Sequence, residues 1–114
     1  GSFALHKLNT PVNAGEYDAF AQCLTDKGVM MYGAWWCPHC TNQKKLFGSS
    51  FKNIKYIECA AAGNTQGQTQ ECTDAKITGY PTWVFADASR IDGEASFNAL
   101  ALKTNCILPS YGKK

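Results

Sequence analysis

The sequence is poor in most features that mark a specialised chain. Its 114 residues carry 11 Lys and Arg against 9 Asp and Glu, a formal charge of +2. No basic cluster is larger than Lys44-Lys45 or Lys113-Lys114. That balance is too mild to point to nucleic acid or an anionic membrane surface. No apolar run approaches the roughly 20 residues that cross a bilayer. There is no internal repeat and no low-complexity tract, which removes repeat arrays and flexible linkers from consideration. Neither an initiator Met nor a secretory leader is present, and Gly1-Ser2 reads as the scar of a cleaved tag. A native leader or anchor is therefore expected outside this stretch. Histidine is scarce, at His6 and His39 only. A structural zinc site ordinarily needs four ligands, and the one Cys-x-x-Cys here has no second such pair and no His pair to complete it. No metal and no cofactor are expected.

What is abundant is cysteine. Six in so short a chain point to an oxidising compartment. With 45% hydrophobic residues, the chain is long enough for one domain with its own core. Cys37 and Cys40 stand in Trp35-Trp36-Cys37-Pro38-His39-Cys40, behind the apolar run Val29-Met30-Met31-Tyr32-Gly33-Ala34. The run has the length and composition of a buried strand. Gln43-Lys44-Lys45-Leu46-Phe47 before Gly48 reads as a helix with late cations and a glycine stop. Cys37 therefore falls at a helix N-terminus, where unpaired N–H groups and the helix dipole favour a thiolate below the free thiol range. Pro38 suits the first helical position. A protonated His39 would add positive charge beside the same sulfur; otherwise it is a solvated turn residue. This spacing lets two thiols close and reopen a small disulfide ring, with Cys37 as nucleophile and Cys40 as resolving thiol.

The rest of the chain reads as alternating elements. Tyr17, Phe20, Ala21 and Leu24 form an apolar stripe within an expected helix over 16–27, stopped by Gly28. After a turn over 48–53, residues 54–58 read as a strand, making a βαβ unit with parallel strands. A loop over 60–69 precedes a short helix over 71–77. Gly79-Tyr80-Pro81-Thr82 leads into a strand over 83–86, a tight turn and a short strand over 90–92, which together form a hairpin. A last helix is expected over 94–103. We divide the chain into a scar and arm over 1–14, a domain over 15–108 and a tail over 109–114.

In this order the residues resemble the thioredoxin superfamily, an α/β fold with a central mixed sheet flanked by helices on both faces. Tyr32 to Cys40, Gln43 to Gly48, Tyr56-Ile57-Glu58-Cys59, Cys72 and Gly79-Tyr80-Pro81-Thr82-Trp83 are similar to the thioredoxin-like domain fused to bacterial and plant vitamin K epoxide reductase homologues. The likeness spans residues 16 to 103. It implies a cis peptide at Pro81, facing the Cys37–Cys40 pair. The Tyr80 backbone is then free to pair with an extended client chain. Trp35 and Trp36 flank the cysteines, read either as core packing for one of them or, with Trp36 as a client-binding residue, as a partly exposed apolar rim. It also implies a disulfide between Cys59 and Cys72; two free thiols or a second redox pair are the other readings of those residues. Pairing of Cys23 with Cys106 is left open: even cysteine arithmetic favours it, but the resembling fold places the first and last helices on opposite faces of the sheet. Ordinary thioredoxins carry a buried acid where this chain has Met31, so a proton acceptor for Cys40 must come from elsewhere, Glu58 or water. The implied function is oxidation of client protein cysteines, with reoxidation by a quinone-linked membrane protein of the vitamin K epoxide reductase type. A reductase or isomerase, or a redox-gated peptide-binding domain, are the alternatives. The expected setting is a monomer in the bacterial periplasm or cell envelope, or in the thylakoid lumen, possessing in full length a membrane anchor.

Overall fold

A computed structural model describes residues 15–61 and 67–109. The expected arm over 1–14 and the tail beyond 109 lie outside the described residues. Helix α1 is Asp18–Asp26, and its apolar stripe buries Phe20, Ala21 and Leu24. Strand β1 is Met30–Gly33. Helix α2 is Pro38–Phe47, closed by Gly48 at φ 58°, a conformation that costs a residue with a Cβ far more than glycine. The stretch expected as a turn, Gly48–Asn53, is a 3-10 helix. Strand β2 is Tyr56–Glu58 and helix α3 is Gln70–Asp74, where the Thr69 hydroxyl accepts from the Cys72 N–H at 3.3 Å. Strands β3 and β4 are Thr82–Val84 and Arg90–Asp92. Helix α4 is Phe97–Thr104, starting later than its hydrophobic spacing suggests because Ser96 caps it, accepting from the Ala99 N–H at 3.0 Å.

The sheet runs β2-β1-β3-β4. Strands β1 and β2 are parallel, as the βαβ reading requires, and the other two pairings are antiparallel. Met31 lies opposite Trp83, so both face the same layer. That layer is the main core: Phe20 and Leu24 of α1, Cys40 and Phe47 of α2, and Leu100 of α4. The opposite face carries Tyr32, Cys59, Cys72 and Ile77 under α3. This is a mixed sheet covered on both faces, a thioredoxin-like fold.

One expectation about the layers is overturned. The first and last helices share a face. The Phe97 ring of α4 lies 4.6 Å from Tyr17 and 5.5 Å from Phe20, and 4.7 Å from Phe47. These four aromatic rings bury more area together than apart, and they draw α1 and α4 into contact. Lys27 Nζ also donates to the Thr104 carbonyl at 2.6 Å. No wrap of the chain is needed, and Cys23 and Cys106 are bridged, with Cα atoms 5.9 Å apart. Cys59 and Cys72 form the second bridge, at 5.6 Å.

Candidate active site

The site is built where β1 hands over to α2. Cys37 occupies the N-cap with an extended backbone, φ −80° and ψ 124°, and Pro38 is the first helical residue. The Cys37 carbonyl accepts from the N–H groups of Cys40 and Thr41, each at 3.1 Å. Cys37 and Cys40 are free thiols, while the other four cysteines are bridged. Cys37 is 7% exposed and Cys40 1%, so the first thiol is the outer one and the second lies behind it. Cys37 Sγ donates to the Tyr80 carbonyl at 3.7 Å. The Tyr80–Pro81 peptide is cis and Pro81 is fully buried. A loop more than 40 residues away in sequence thus faces the outer sulfur.

Close approach at the back of the site depends on Gly33. A Cβ there would stand 2.8 Å from Cys40 Sγ and 3.0 Å from the Tyr56 ring, distances that side chains do not tolerate without displacement. The missing side chain is what lets the inner thiol and the tyrosine occupy the same corner. Burial pushes the Cys40 thiol up to about 11, with the neighbouring Cys37 adding to the rise and the Ala34 backbone and Lys44 opposing it. Tyr56 is also raised, by burial first and then by its hydrogen bond to Glu58. Met31 at the centre is fully buried and offers no proton acceptor.

Glu58, a candidate acceptor from sequence, has its carboxylate heavily engaged. Its Oε2 accepts from the N–H groups of Trp35 at 2.9 Å and Ala60 at 3.0 Å, and its Oε1 accepts from the Tyr56 hydroxyl at 2.8 Å. The carboxylate therefore ties the loop before Cys37 to the end of β2. Lys44 Nζ sits 4.4 Å from the Tyr56 ring centre, over its face.

His39 is exposed and turned to a partner that the sequence does not suggest. Its Nδ1 lies 2.8 Å from Glu94 Oε2, and Asn42 Nδ2 donates to the same oxygen at 3.3 Å. These bonds hold the Glu94 carboxyl below the usual carboxylate range, His39 being the larger cause. Glu94 reads in sequence only as the start of the last helix. Gln43 is the other residue that sequence reasoning passes over. It is fully buried and bonds to Trp83 Nε1 and to both backbone groups of Ala95. A signal for it exists: Cys40, Gln43 and Phe47 recur at i, i+3, i+7 and make up the buried face of α2.

The rim is aromatic. Trp35 is 56% exposed and Trp36 37%, so neither tryptophan is a core residue. The Trp36 ring stands edge-on to Tyr80 with centroids 5.8 Å apart. Outer thiol, cis-proline loop and indole rim thus converge, and Tyr80 also packs against the cluster that holds the Cys59–Cys72 bridge. Chemically, a paired outer and inner thiol beside an exposed apolar rim can exchange a disulfide with an extended peptide.

No protein-family model matches the chain. Over 93 residues, 79% of its length, it is 40% identical to a protein of Arabidopsis thaliana named thiol-disulfide oxidoreductase LTO1. It spans about a quarter (24%) of that relative's length. The thioredoxin-like fold and the geometry of the thiol pair agree with this similarity to a thiol–disulfide oxidoreductase.

Proposed function

We propose that this domain oxidises cysteines of client proteins through a Cys37–Cys40 disulfide and is itself reoxidised by a quinone-linked membrane protein of the vitamin K epoxide reductase type. The observation that carries the reading is the placement of Cys37. Its sulfur is the outer of the pair, sits at a helix N-cap, and lies against the Tyr80 carbonyl next to a cis-proline. A client strand laid along Tyr80 would bring its own cysteine over Cys37, with Trp35 and Trp36 contacting whatever apolar side chains flank it. Little side-chain specificity is demanded, as a general oxidant requires. A positive charge at position 39 inside the motif would stabilise the reduced form over the disulfide and so make the disulfide a better oxidant. Two bridges outside the site support an oxidising compartment, the periplasm, cell envelope or thylakoid lumen. The similarity to about a quarter of a longer protein is compatible with a partner domain on the same chain.

Equilibration of the Cys37–Cys40 pair with glutathione buffers tests the direction. An oxidant should have a potential nearer about −180 to −120 mV than the about −270 mV of a strong reductant. A value at the reducing end, together with efficient insulin reduction, refutes the oxidant reading. Full biological activity in Cys37→Ala would instead favour a peptide-binding role.

A further inference from the structure

We infer that Tyr56 and Glu58 form the route by which the proton of the Cys40 thiol leaves when the Cys37–Cys40 disulfide closes. The inference rests on the exchange chemistry proposed above and names residues for one step of it.

That step has a proton problem. An oxidised partner, itself a disulfide, is first attacked by the Cys37 thiolate, giving a mixed disulfide. Cys40 must then attack Cys37 Sγ. The Cys37–Cys40 bond forms, the bond between Cys37 and the partner breaks, and the partner's sulfur leaves with the electron pair and takes a proton from water. The two domain thiols are oxidised and the partner disulfide is reduced. Cys40 can attack only after losing its own proton, because the thiolate is the nucleophile. It is 1% exposed, so water does not reach it freely, and burial favours the protonated form.

The surroundings of Cys40 narrow the acceptor. The charged and titratable groups acting on this corner are Cys37 and Lys44 from α2, Tyr56 and Glu58 from β2, and Tyr80 from the loop before β3. Lys44 is a cation and accepts no proton. The Tyr80 hydroxyl is turned away and donates to Gln68 Oε1. Tyr56 Oη and Cys40 Sγ both lie within 3.3 Å of the single point where a Gly33 Cβ would be. From there Tyr56 Oη donates to Glu58 Oε1 at 2.8 Å. The Oε2 of that carboxylate is held by the Trp35 and Ala60 N–H groups, which keep Oε1 aimed at the phenol. As Tyr56 passes its phenol proton to Glu58, its oxygen takes the Cys40 proton once the two side chains close on each other across the open Gly33 corner. The phenol is regenerated, Cys40 becomes a thiolate, and the proton rests on Glu58, which is half-buried and can release it to solvent. Tyr56 never becomes a free phenolate, which its burial would oppose. Lys44 over the ring face stabilises the negative charge that passes through this corner. Tyr56 is thus a catalytic residue, and Glu58 is a positioning residue and terminal acceptor acting through it.

The test is stopped-flow tryptophan fluorescence of the reduced protein mixed with oxidised glutathione, with ring closure resolved from the first attack, from pH 6 to 10. Tyr56→Phe keeps the ring packing, and Glu58→Gln keeps an acceptor for the two backbone N–H groups. Each is expected to slow ring closure at pH 7 by about 100-fold, the lower range for general acid–base catalysis. The first attack by Cys37 should be affected far less. The deficit should shrink as pH rises toward the Cys40 range, because hydroxide then does the work of the relay. Closure as fast as in the parent protein in either variant overturns the inference, and so does a slowing that is the same at every pH, which marks a structural role. A parent protein that never forms the Cys37–Cys40 disulfide overturns the exchange reading along with it.

Discussion

Gln43→Leu removes the amide that ties the site helix to the rest of the fold. Gln43 Oε1 accepts from Trp83 Nε1 at 3.1 Å and from the Ala95 N–H at 2.7 Å, and Nε2 donates to the Ala95 carbonyl at 3.0 Å. The side chain is fully buried, so no water waits to replace it. Leucine is close in size but satisfies none of these groups. Three buried polar groups are orphaned, each at about 1–3 kcal/mol. The apolar gain of leucine over glutamine returns about 2 kcal/mol. The net loss should be about 1–7 kcal/mol, with a middle value of about 4, a large part of the 5–15 kcal/mol, roughly, that holds a small domain together. Urea unfolding of the oxidised protein, followed by far-ultraviolet circular dichroism, measures it as a lower midpoint at unchanged slope. Gln43→Glu sharpens the reasoning. A protonated carboxyl can donate to the Ala95 carbonyl much as the amide does, whereas an ionised one cannot. Burial raises the folded-state pKa of that introduced acid, so the damage should be small near pH 4 and should grow as pH climbs above the unfolded carboxylate range of about 4.3. A loss below about 1 kcal/mol in Gln43→Leu would mean that these bonds do not anchor α2.

His39→Ala should make the Cys37–Cys40 disulfide less oxidising and Glu94→Gln more so, by tens of millivolts, since about 30 mV corresponds to 1.4 kcal/mol; unchanged potentials in both would make the pair a surface feature. Because the Glu94 carboxyl is lowered in the fold, whatever stability the pair adds is present above the ordinary carboxylate range and disappears as pH falls through the lowered value; a normal Glu94 titration by NMR contradicts this. Mild dithiol should reduce Cys37–Cys40 while Cys59–Cys72 and Cys23–Cys106 stay bridged, as mass spectrometry after stepwise alkylation can show; release of all pairs together would point to a relay. Deleting the Cys23–Cys106 bridge, which spans 83 residues, should cost about 4–5 kcal/mol on the chain-entropy model, against about 3 kcal/mol for Cys59–Cys72, which spans 13; the reverse order in thermal unfolding refutes that account. Gly33→Ala places a Cβ 2.8 Å from Cys40 Sγ, so it should cost about 1–3 kcal/mol by overpacking and slow disulfide exchange; parent-like exchange rates would show that Cys40 can move aside freely.

Local features were legible in the chain. An apolar run, a Cys-x-x-Cys, a proline and a glycine stop follow one another so closely that the strand, the N-cap cysteine and the end of α2 are determined within twenty residues. The stripe of Phe20, Ala21 and Leu24 determined α1 for the same reason: a helix period is a local property. Strand and helix ends shifted by a few residues, since capping side chains such as Ser96 outweigh hydrophobic spacing. Tertiary structure alone decided the rest, because those contacts join positions far apart in the chain. Which face α4 covers depends on where Phe97 finds Tyr17, Phe20 and Phe47, and that choice brings Cys106 to Cys23. The pairing of His39 with Glu94, 55 residues on, follows from how the loop before α4 passes the start of α2. A hydrogen-bonding side chain announces that it needs partners; only the packed fold selects Trp83 and Ala95 for Gln43, and Trp35, Tyr56 and Ala60 for Glu58.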